Sequence, residues 1–155
     1  TIENVHTKEV STEFGEFRLD VWRDVIFDEH HFSLTKGSPE KVDVPMVRVQ
    51  TQSVLQDTLG IDEIGKKWSI RKSLQKISEE GTGVFVLINH RDAKTYWLSS
   101  LKDENIEPKR NRRVIGIGSQ ILRSLGLNRI NVLGTPTKYS GLSGFNIEIE
   151  GFIDE

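Results

Sequence analysis

The sequence predicts an α+β domain with a mixed β-sheet and flanking helices. Strand patterns fill the first half of the chain and helix–strand pairs follow in the second half, which is the order expected of this fold class. A length of 155 residues suits one domain, and 35% hydrophobic with 28% charged residues indicates a globular chain. We therefore predict a single domain over residues 1–155. Because the chain starts at Thr1 without a methionine, we expect it to be part of a longer fusion protein.

Six segments have the apolar patterns of strands: 14–22, 25–34, 44–52, 84–88, 130–133 and 145–149. In the first of these, polar and apolar residues alternate from Phe17 onward, which places Phe17, Leu19 and Val21 on one face. The second is its predicted hairpin partner. The uninterrupted apolar run of the fourth is typical of a buried strand, so we expect that strand at the centre of the sheet.

Two segments, 66–80 and 114–125, carry apolar stripes at helical spacing and are predicted to be helices. Gly81 and Gly126 follow them, as expected of residues that end helices. A further short helix is predicted over residues 94–103. The stripe residues are Ile70, Leu74 and Ile77 in the first helix and Ile117, Ile121 and Leu125 in the second.

The composition excludes several classes of function. A net charge of −2 gives no general attraction to nucleic acid or to an acidic membrane surface. No apolar run approaches the roughly 20 residues that span a bilayer. The chain has no cysteine, which excludes disulfides, thiolate nucleophiles and cysteine-ligated metals. The lack of disulfides fits the cytoplasm, so we expect a cytoplasmic protein that binds neither nucleic acid nor membrane.

Two segments have the composition of anion sites. Backbone amides at a helix N-terminus bind anions together with cationic side chains, and four cations precede Gly116 and Gly118 in the second helix. The loop 134–138 carries hydroxyls and a lysine, which hold phosphate in some proteins. Charge runs and such loops are also common as solvated surface, and spacing alone leaves both interpretations open. The four cations are Lys109, Arg110, Arg112 and Arg113.

The histidines and acids show no catalytic pattern. His30 and His31 are adjacent in a predicted strand, so they point to opposite faces and are not expected to share a metal. We interpret all four histidines as structural or solvated. No Ser–His–Asp arrangement is apparent, and no close pair of acids stands out. We therefore predict no metal ligands in this chain.

The run GIGSQILRSLGL, residues 116–127, resembles the helix of GTP cyclohydrolase II, in which GIGAQIL precedes a short glycine turn. The likeness extends in order over nearly the whole chain and is strongest at its C-terminal end. It implies the fold of that family and descent from an enzyme of riboflavin biosynthesis. In that family a zinc-activated water opens the guanine ring of GTP, and formate is released. The other matching segments are 11–17, 31–37, 45–51, 130–133, 136–138 and 141–145.

The resemblance also implies that the zinc site is lost. The family binds zinc through three cysteines, the first of which falls here on Ser53, and the segment holding the other two is shortened to residues 60–65. A neutral hydroxyl binds zinc far more weakly than a thiolate. Asp62 and Glu63 lie in the shortened segment but are more simply explained as solvated carboxylates. We expect no zinc and no other cofactor in this domain.

Six residues match functional positions of the family. Arg113 falls on the arginine proposed to attack the α-phosphate of GTP, although Asn111 stands where its aspartate partner would be. The resemblance assigns the others to phosphate or nucleotide binding. Tyr96 lies near the expected position of a catalytic tyrosine but cannot be given that role. The five predicted binding residues are Arg48, Asp92, Lys94, Thr135 and Lys138.

The sequence leaves two functions open. Degenerate domains of this family are fused behind 3,4-dihydroxy-2-butanone 4-phosphate synthase, which uses magnesium. The resemblance therefore favours a non-catalytic, homodimeric domain of riboflavin biosynthesis that supports or regulates such a synthase, with a nucleotide or sugar phosphate as ligand. The alternative is an active phosphate-ligand enzyme that uses Arg113, or a nucleotide-binding module, in either case without zinc. Arginine normally stays protonated, which makes it a poor nucleophile.

Overall fold

Seven strands form one mixed sheet in the order β1-β2-β3-β5-β4-β6-β7. The computed structural model describes residues 1–61, 68–89, 101, 108–135 and 146–155, with the backbone alone for 108–112. The mixed sheet with helices on it confirms the predicted fold class. The strands are β1 (Ile2–Thr12), β2 (Gly15–Asp24), β3 (Glu29–Lys36), β4 (Met46–Thr51), β5 (Gly83–Ile88), β6 (Arg129–Leu133) and β7 (Glu148–Ile153).

The sheet has an antiparallel half and a parallel half. Strands β1, β2, β3 and β5 pair antiparallel in that order. Strand β4 lies parallel between β5 and β6, and β7 is parallel to β6 at the far edge. Because β3 runs opposite to β5, the start of β3 lies beside the carboxyl end of β5. This arrangement brings the β2–β3 turn to the edge of the sheet where the parallel strands end.

The two long helices, α1 (Ile70–Glu80) and α2 (Pro108–Ser124), pack on opposite faces of the sheet. Successive residues of β5 show this division. Val84 and Val86 belong to the core cluster that contains Ile121 of α2, whereas Phe85 belongs to the cluster that contains Ile77 of α1. Within the described residues each face therefore carries one long helix, and burial on both faces explains the continuous apolar run of β5.

Helix α1 begins later than predicted. The Ser69 hydroxyl accepts a hydrogen bond from the Lys72 amide, at 3.1 Å, and so caps the first turn. The prediction that the helix starts at residue 66 was therefore wrong, whereas its end at Glu80, followed by left-handed Gly81, was right. Its stripe packs as expected, with Ile77 fully buried and Leu74 nearly so.

Helix α2 begins earlier than predicted, at Pro108, a favourable residue for a first turn. Gly116 and Gly118 consequently lie in the middle of the helix and not in its first turns. A Cβ atom at Gly118 would lie 2.8 Å from Cγ1 of Val49 on β4. The glycine thus permits close packing of helix on sheet, and the prediction that Gly116 and Gly118 lie in the first turns of the helix was wrong.

Three strands differ from their predicted positions. Strand β1 was not predicted because, as an edge strand, it is exposed over most of its length and shows no clear apolar alternation. The hairpin partner begins at Glu29, since residues 25–28 form the turn, and β7 begins at Glu148.

The helix predicted over 94–103 lies almost wholly outside the described residues. Among the described residues, no helix combines the length and apolar character needed to cross a bilayer.

Candidate functional site

The ends of the parallel strands define the candidate site. Strands β4, β5 and β6 end at Thr51, Ile88 and Leu133, and the segments that follow leave the sheet on the same side. Ligands of open α/β sheets bind outside the carboxyl ends of the strands. The β2–β3 hairpin adds its turn to this edge because β3 is antiparallel to β5.

Three buried side chains from the hairpin meet at this edge. Asp24 and Glu29 are directly opposite in the β2–β3 pairing, and His31 follows on the same face of β3. One ligand-type atom from each lies within 4.8 Å of the others, and all three residues are at most 5% exposed. The expectation that no close pair of acids exists was therefore wrong. The missed signal was the hairpin turn, since Asp24, Glu29 and His31 share the face of Trp22 once residues 25–28 are left out.

Arg113 joins this cluster from α2. Its guanidinium donates through Nη2 to Oε1 of Glu29, 84 residues away in the chain, and its Cζ lies 3.9 Å from the ring centroid of Phe27. The arginine that resemblance assigns to phosphate chemistry is thus held by a buried carboxylate and an aromatic ring. Its Nε atom is buried and has no hydrogen-bond partner in the described part of the chain. A bound anion would have to share or replace the contact with Glu29.

The hydrogen bonding of the His31 ring fixes which of its nitrogens carries the proton. Its Nδ1 atom accepts a hydrogen bond from the Asn89 amide at 3.0 Å. The proton of the neutral ring must therefore be on Nε2, which is buried and has no partner among the described residues. A protonated Nε2 cannot coordinate a metal, so the ring does not suit the third ligand position beside Asp24 and Glu29. The interpretation of His31 as structural agrees with this burial, and exposed His30 points to the opposite face as predicted.

Burial lowers the pKa of His31 below its ordinary value of 6.5, and the carboxylates of Glu29 and Asp24 only partly oppose this effect. The unfolded chain therefore binds a proton at a higher pH than the folded protein. This contribution to stability is complete above about pH 6.5 and is lost as the pH falls below it, by up to about 1.4 kcal/mol per pH unit.

We expect the free energy of unfolding, measured by urea denaturation, to fall less in His31→Gln than in the wild type between about pH 7.5 and about pH 5.5. His30→Gln is the matched control, because His30 is the exposed neighbour on the other face. It should keep the wild-type pH dependence. Equal pH dependence in His31→Gln and the wild type would show that His31 does not stay neutral in the folded protein.

Arg48 lies within β4, level with the end of β6 and on the face covered by α1. It is 3% exposed and donates to the carbonyl oxygens of Leu133 and Trp68, at 2.9 and 3.0 Å, and to Oε1 of Gln50 at 2.9 Å. These bonds join β4 to the end of β6 and to the segment before α1. The predicted phosphate contact of Arg48 stays a prediction, and the structure gives this guanidinium a structural role.

Ser53, which the family resemblance aligns with the first zinc ligand, is part of a helix cap. The Ser53 hydroxyl accepts from the Gln56 amide at 3.3 Å, and the Ser53 amide donates to Oδ2 of Asp57 at 2.8 Å. These bonds start the single helical turn Val54–Thr58. The residues present do not fit the zinc that the resemblance implies, because Ser53 supplies no thiolate and the chain has no cysteine.

The remaining predicted site residues are placed only in part. Thr135 is half-buried and follows β6 directly, at the edge where the parallel strands end. The other three predicted site residues lie outside the described residues, and the neighbours of Arg113 at 109–112 are described by their backbone alone. Those outside the described residues are Asp92, Lys94 and Lys138, together with Tyr96, Asp62, Glu63 and His90.

Comparison with known proteins identifies the family to which this fold belongs. A family model described as GTP cyclohydrolase II matches residues 3–154. The chain belongs to the GTP cyclohydrolase II family. A similar sequence is the 3,4-dihydroxy-2-butanone 4-phosphate synthase of Pseudomonas aeruginosa, 29% identical over 159 residues that cover 99% of this chain and 43% of that protein. The riboflavin biosynthesis protein RibBA of Cytophaga hutchinsonii is 30% identical, covering 91% of this chain and 38% of that protein.

A solved structure shows the same fold. The crystal structure of RibBX, a two-domain 3,4-dihydroxy-2-butanone 4-phosphate synthase from A. baumannii, matches this chain with a TM-score of 0.67 and 26% sequence identity. The match covers all of this chain and 41% of RibBX. This member of the GTP cyclohydrolase II family therefore spans less than half the length of these relatives, which carry additional sequence.

Proposed function

We propose that this chain is a non-catalytic GTP cyclohydrolase II-like domain that supports or regulates a 3,4-dihydroxy-2-butanone 4-phosphate synthase domain in the same polypeptide. The observation that carries the proposal is the Ser53 cap. Ser53 stands where the family has its first zinc-binding cysteine, and both its hydroxyl and its backbone amide are engaged in helix-capping hydrogen bonds. A water without a metal keeps a high pKa at neutral pH and is a poor nucleophile for opening the guanine ring.

The relatives support the proposed association with a synthase domain. The Pseudomonas and A. baumannii proteins are named as synthases, and the matched region is less than half of each. A domain retained beside a synthase after losing its own metal ligands is best explained by a structural or regulatory role. In this proposal magnesium belongs to the synthase domain. A homodimer in the cytoplasm is part of the same proposal.

A phosphate ligand is also part of the proposal, with Arg113 as its first contact. The guanidinium is three-quarters buried, and its Nε and the Nε2 of His31 are two buried donors without an acceptor in the described part of the chain. Phosphate oxygens are acceptors of the required kind. Thr135 lies at the same edge of the sheet, and Lys138 follows three residues later. A ligand would compete with Glu29 for Arg113, so we expect modest affinity.

The proposal predicts that the purified protein releases no formate from GTP in the presence of zinc or magnesium. It should also contain no stoichiometric zinc, because the thiolates that hold zinc in the family are missing. Formate can be measured with a coupled dehydrogenase assay and the metal by atomic emission spectroscopy. A family member that keeps its cysteines serves as the positive control in both measurements.

Calorimetric titration with GTP and with ribulose 5-phosphate tests the ligand. Arg113→Gln should weaken any measured binding, whereas Arg123→Gln, an exposed arginine of the same helix, should not. Formate release at the rate of the positive control would overturn the non-catalytic assignment and favour the zinc-free enzyme that uses Arg113. If binding were unchanged in Arg113→Gln, the proposed phosphate site would be wrong, but the proposed association with the synthase domain would not be affected.

A further inference from the structure

The turn between β2 and β3 exposes three consecutive apolar residues. Val25, Ile26 and Phe27, here called the hairpin tip, are 40%, 73% and 49% exposed. Turns of this kind usually carry Gly, Asn, Asp or Ser, whose conformational freedom or hydrogen bonding suits the position. Exposed apolar residues that form one contiguous patch are a feature of interaction sites, whereas single scattered ones are common on any protein surface.

The hairpin tip is held in one conformation. Oδ1 of Asp24 accepts hydrogen bonds from the amides of Ile26 and Phe27, at 3.0 and 3.3 Å. Asp28 closes the turn with a positive φ of 51°, and the Phe27 ring stacks against Arg113. A surface that is already ordered loses little conformational entropy when it is covered, which favours binding.

The surroundings of the tip resemble the rim of a protein interface. The Nε of Arg23 donates to Oδ1 of Asp28 at 2.9 Å, and both side chains are exposed beside the tip. Apolar centres with a polar margin are the usual pattern of interfaces between protein domains. The pattern fits a folded protein surface as the partner.

The first residue of the chain lies at the tip. The Val25 amide donates to the carbonyl oxygen of Thr1 at 3.2 Å, next to the pairing of Ile2 with Asp24. Any residue that precedes Thr1 in the polypeptide therefore leaves the domain beside Val25. A domain joined there by a short connection is held at high effective concentration over the hairpin tip.

We propose that the hairpin tip is the docking surface for the synthase domain that precedes Thr1 in the same polypeptide. This inference rests on the proposed function, which supplies that domain. The hairpin tip is connected directly to the candidate site, because Phe27 of the tip stacks on Arg113, and Arg113 is bonded to Glu29. A ligand that takes Arg113 from Glu29 would therefore change the support of the surface on which the synthase domain rests.

The test is photo-cross-linking in the natural full-length protein. The photoreactive residue p-benzoylphenylalanine replaces Ile26 in one variant and Val42 in the control. Val42, like Ile26, is an exposed apolar residue, 38% exposed against 73%, but it precedes β4 at the opposite end of the parallel strands. After irradiation, denaturing electrophoresis separates cross-links within one chain from those between chains, and mass spectrometry maps the partner residue.

We expect a cross-link from position 26 to residues that precede Thr1 in the same chain, and none above background from position 42. No cross-link from position 26, equal yields at both positions, or a product that joins two copies would overturn the docking surface. If the full-length protein has a synthase domain that fails to cross-link, only the docking inference fails. If no synthase domain precedes Thr1, the proposed function fails with it.

Discussion

Replacing Arg48 by methionine is expected to lower the free energy of unfolding by about 4 kcal/mol, since each hydrogen bond from a charged group contributes about 1.5–3 kcal/mol. The guanidinium donates to Leu133, Trp68 and Gln50 inside the protein. Methionine fills a similar volume but leaves two buried carbonyl oxygens without this donor, and its apolar side chain offsets only part of the loss. Urea denaturation monitored by tryptophan fluorescence measures the change.

The matched control is Arg71→Met, the same substitution at an exposed arginine. Arg71 pairs with Glu13 at the surface and stacks near Phe14, and exposed pairs contribute about 0–1 kcal/mol. The comparison separates loss of a cation from loss of buried bonds. If Arg48→Met kept wild-type stability but lost affinity for GTP, the phosphate contact predicted from the family resemblance would be right and the structural role wrong.

The sheet could be predicted where burial leaves a periodic trace in the sequence. Polar and apolar residues alternate in β2 from Phe17, a member of the core cluster on the α1 side, whereas the uninterrupted apolar run of β5 reflects two covered faces. Strand β1 has an exposed edge and mostly exposed side chains, so its residues were under no such constraint. The sequence pattern therefore reveals strands whose side chains are buried, but not a strand that is exposed and only hydrogen-bonds to its neighbour.

The candidate site could be predicted only in part, because its contacts join distant positions. Resemblance singled out Arg113, but its partner Glu29 is 84 residues away, and no spacing rule links the two. The role of His31 depends on which ring nitrogen meets the Asn89 amide, which is a matter of geometry. The loss of the zinc ligands, in contrast, is visible in the sequence because a chain without cysteine has no thiolates to offer.

The second large effect is expected at Gly83, the first residue of β5. Its φ of +151° is a conformation that side-chain-bearing residues adopt at a cost of about 1–3 kcal/mol. A Cβ atom there would also lie 2.8 Å from the carbonyl oxygen of Met46 and 3.1 Å from Cγ2 of Ile77. Overpacking of a core typically costs about 1–3 kcal/mol. Gly83→Ala should therefore lose about 4 kcal/mol of unfolding free energy, as measured by urea denaturation.

Gly81→Ala, two residues earlier, is the control that isolates the steric part of this effect. Gly81 also has a positive φ, of 84°, but a Cβ atom there would meet nothing within 4 Å. Left-handed backbone alone costs about 1–2 kcal/mol, so Gly81→Ala should be clearly the milder variant. Equal losses would mean that β4 and α1 can move away from β5, and that the close contact at Gly83 does not fix the strand. Strand β5 leads to Asn89, so its position also determines where the ring of His31 is held.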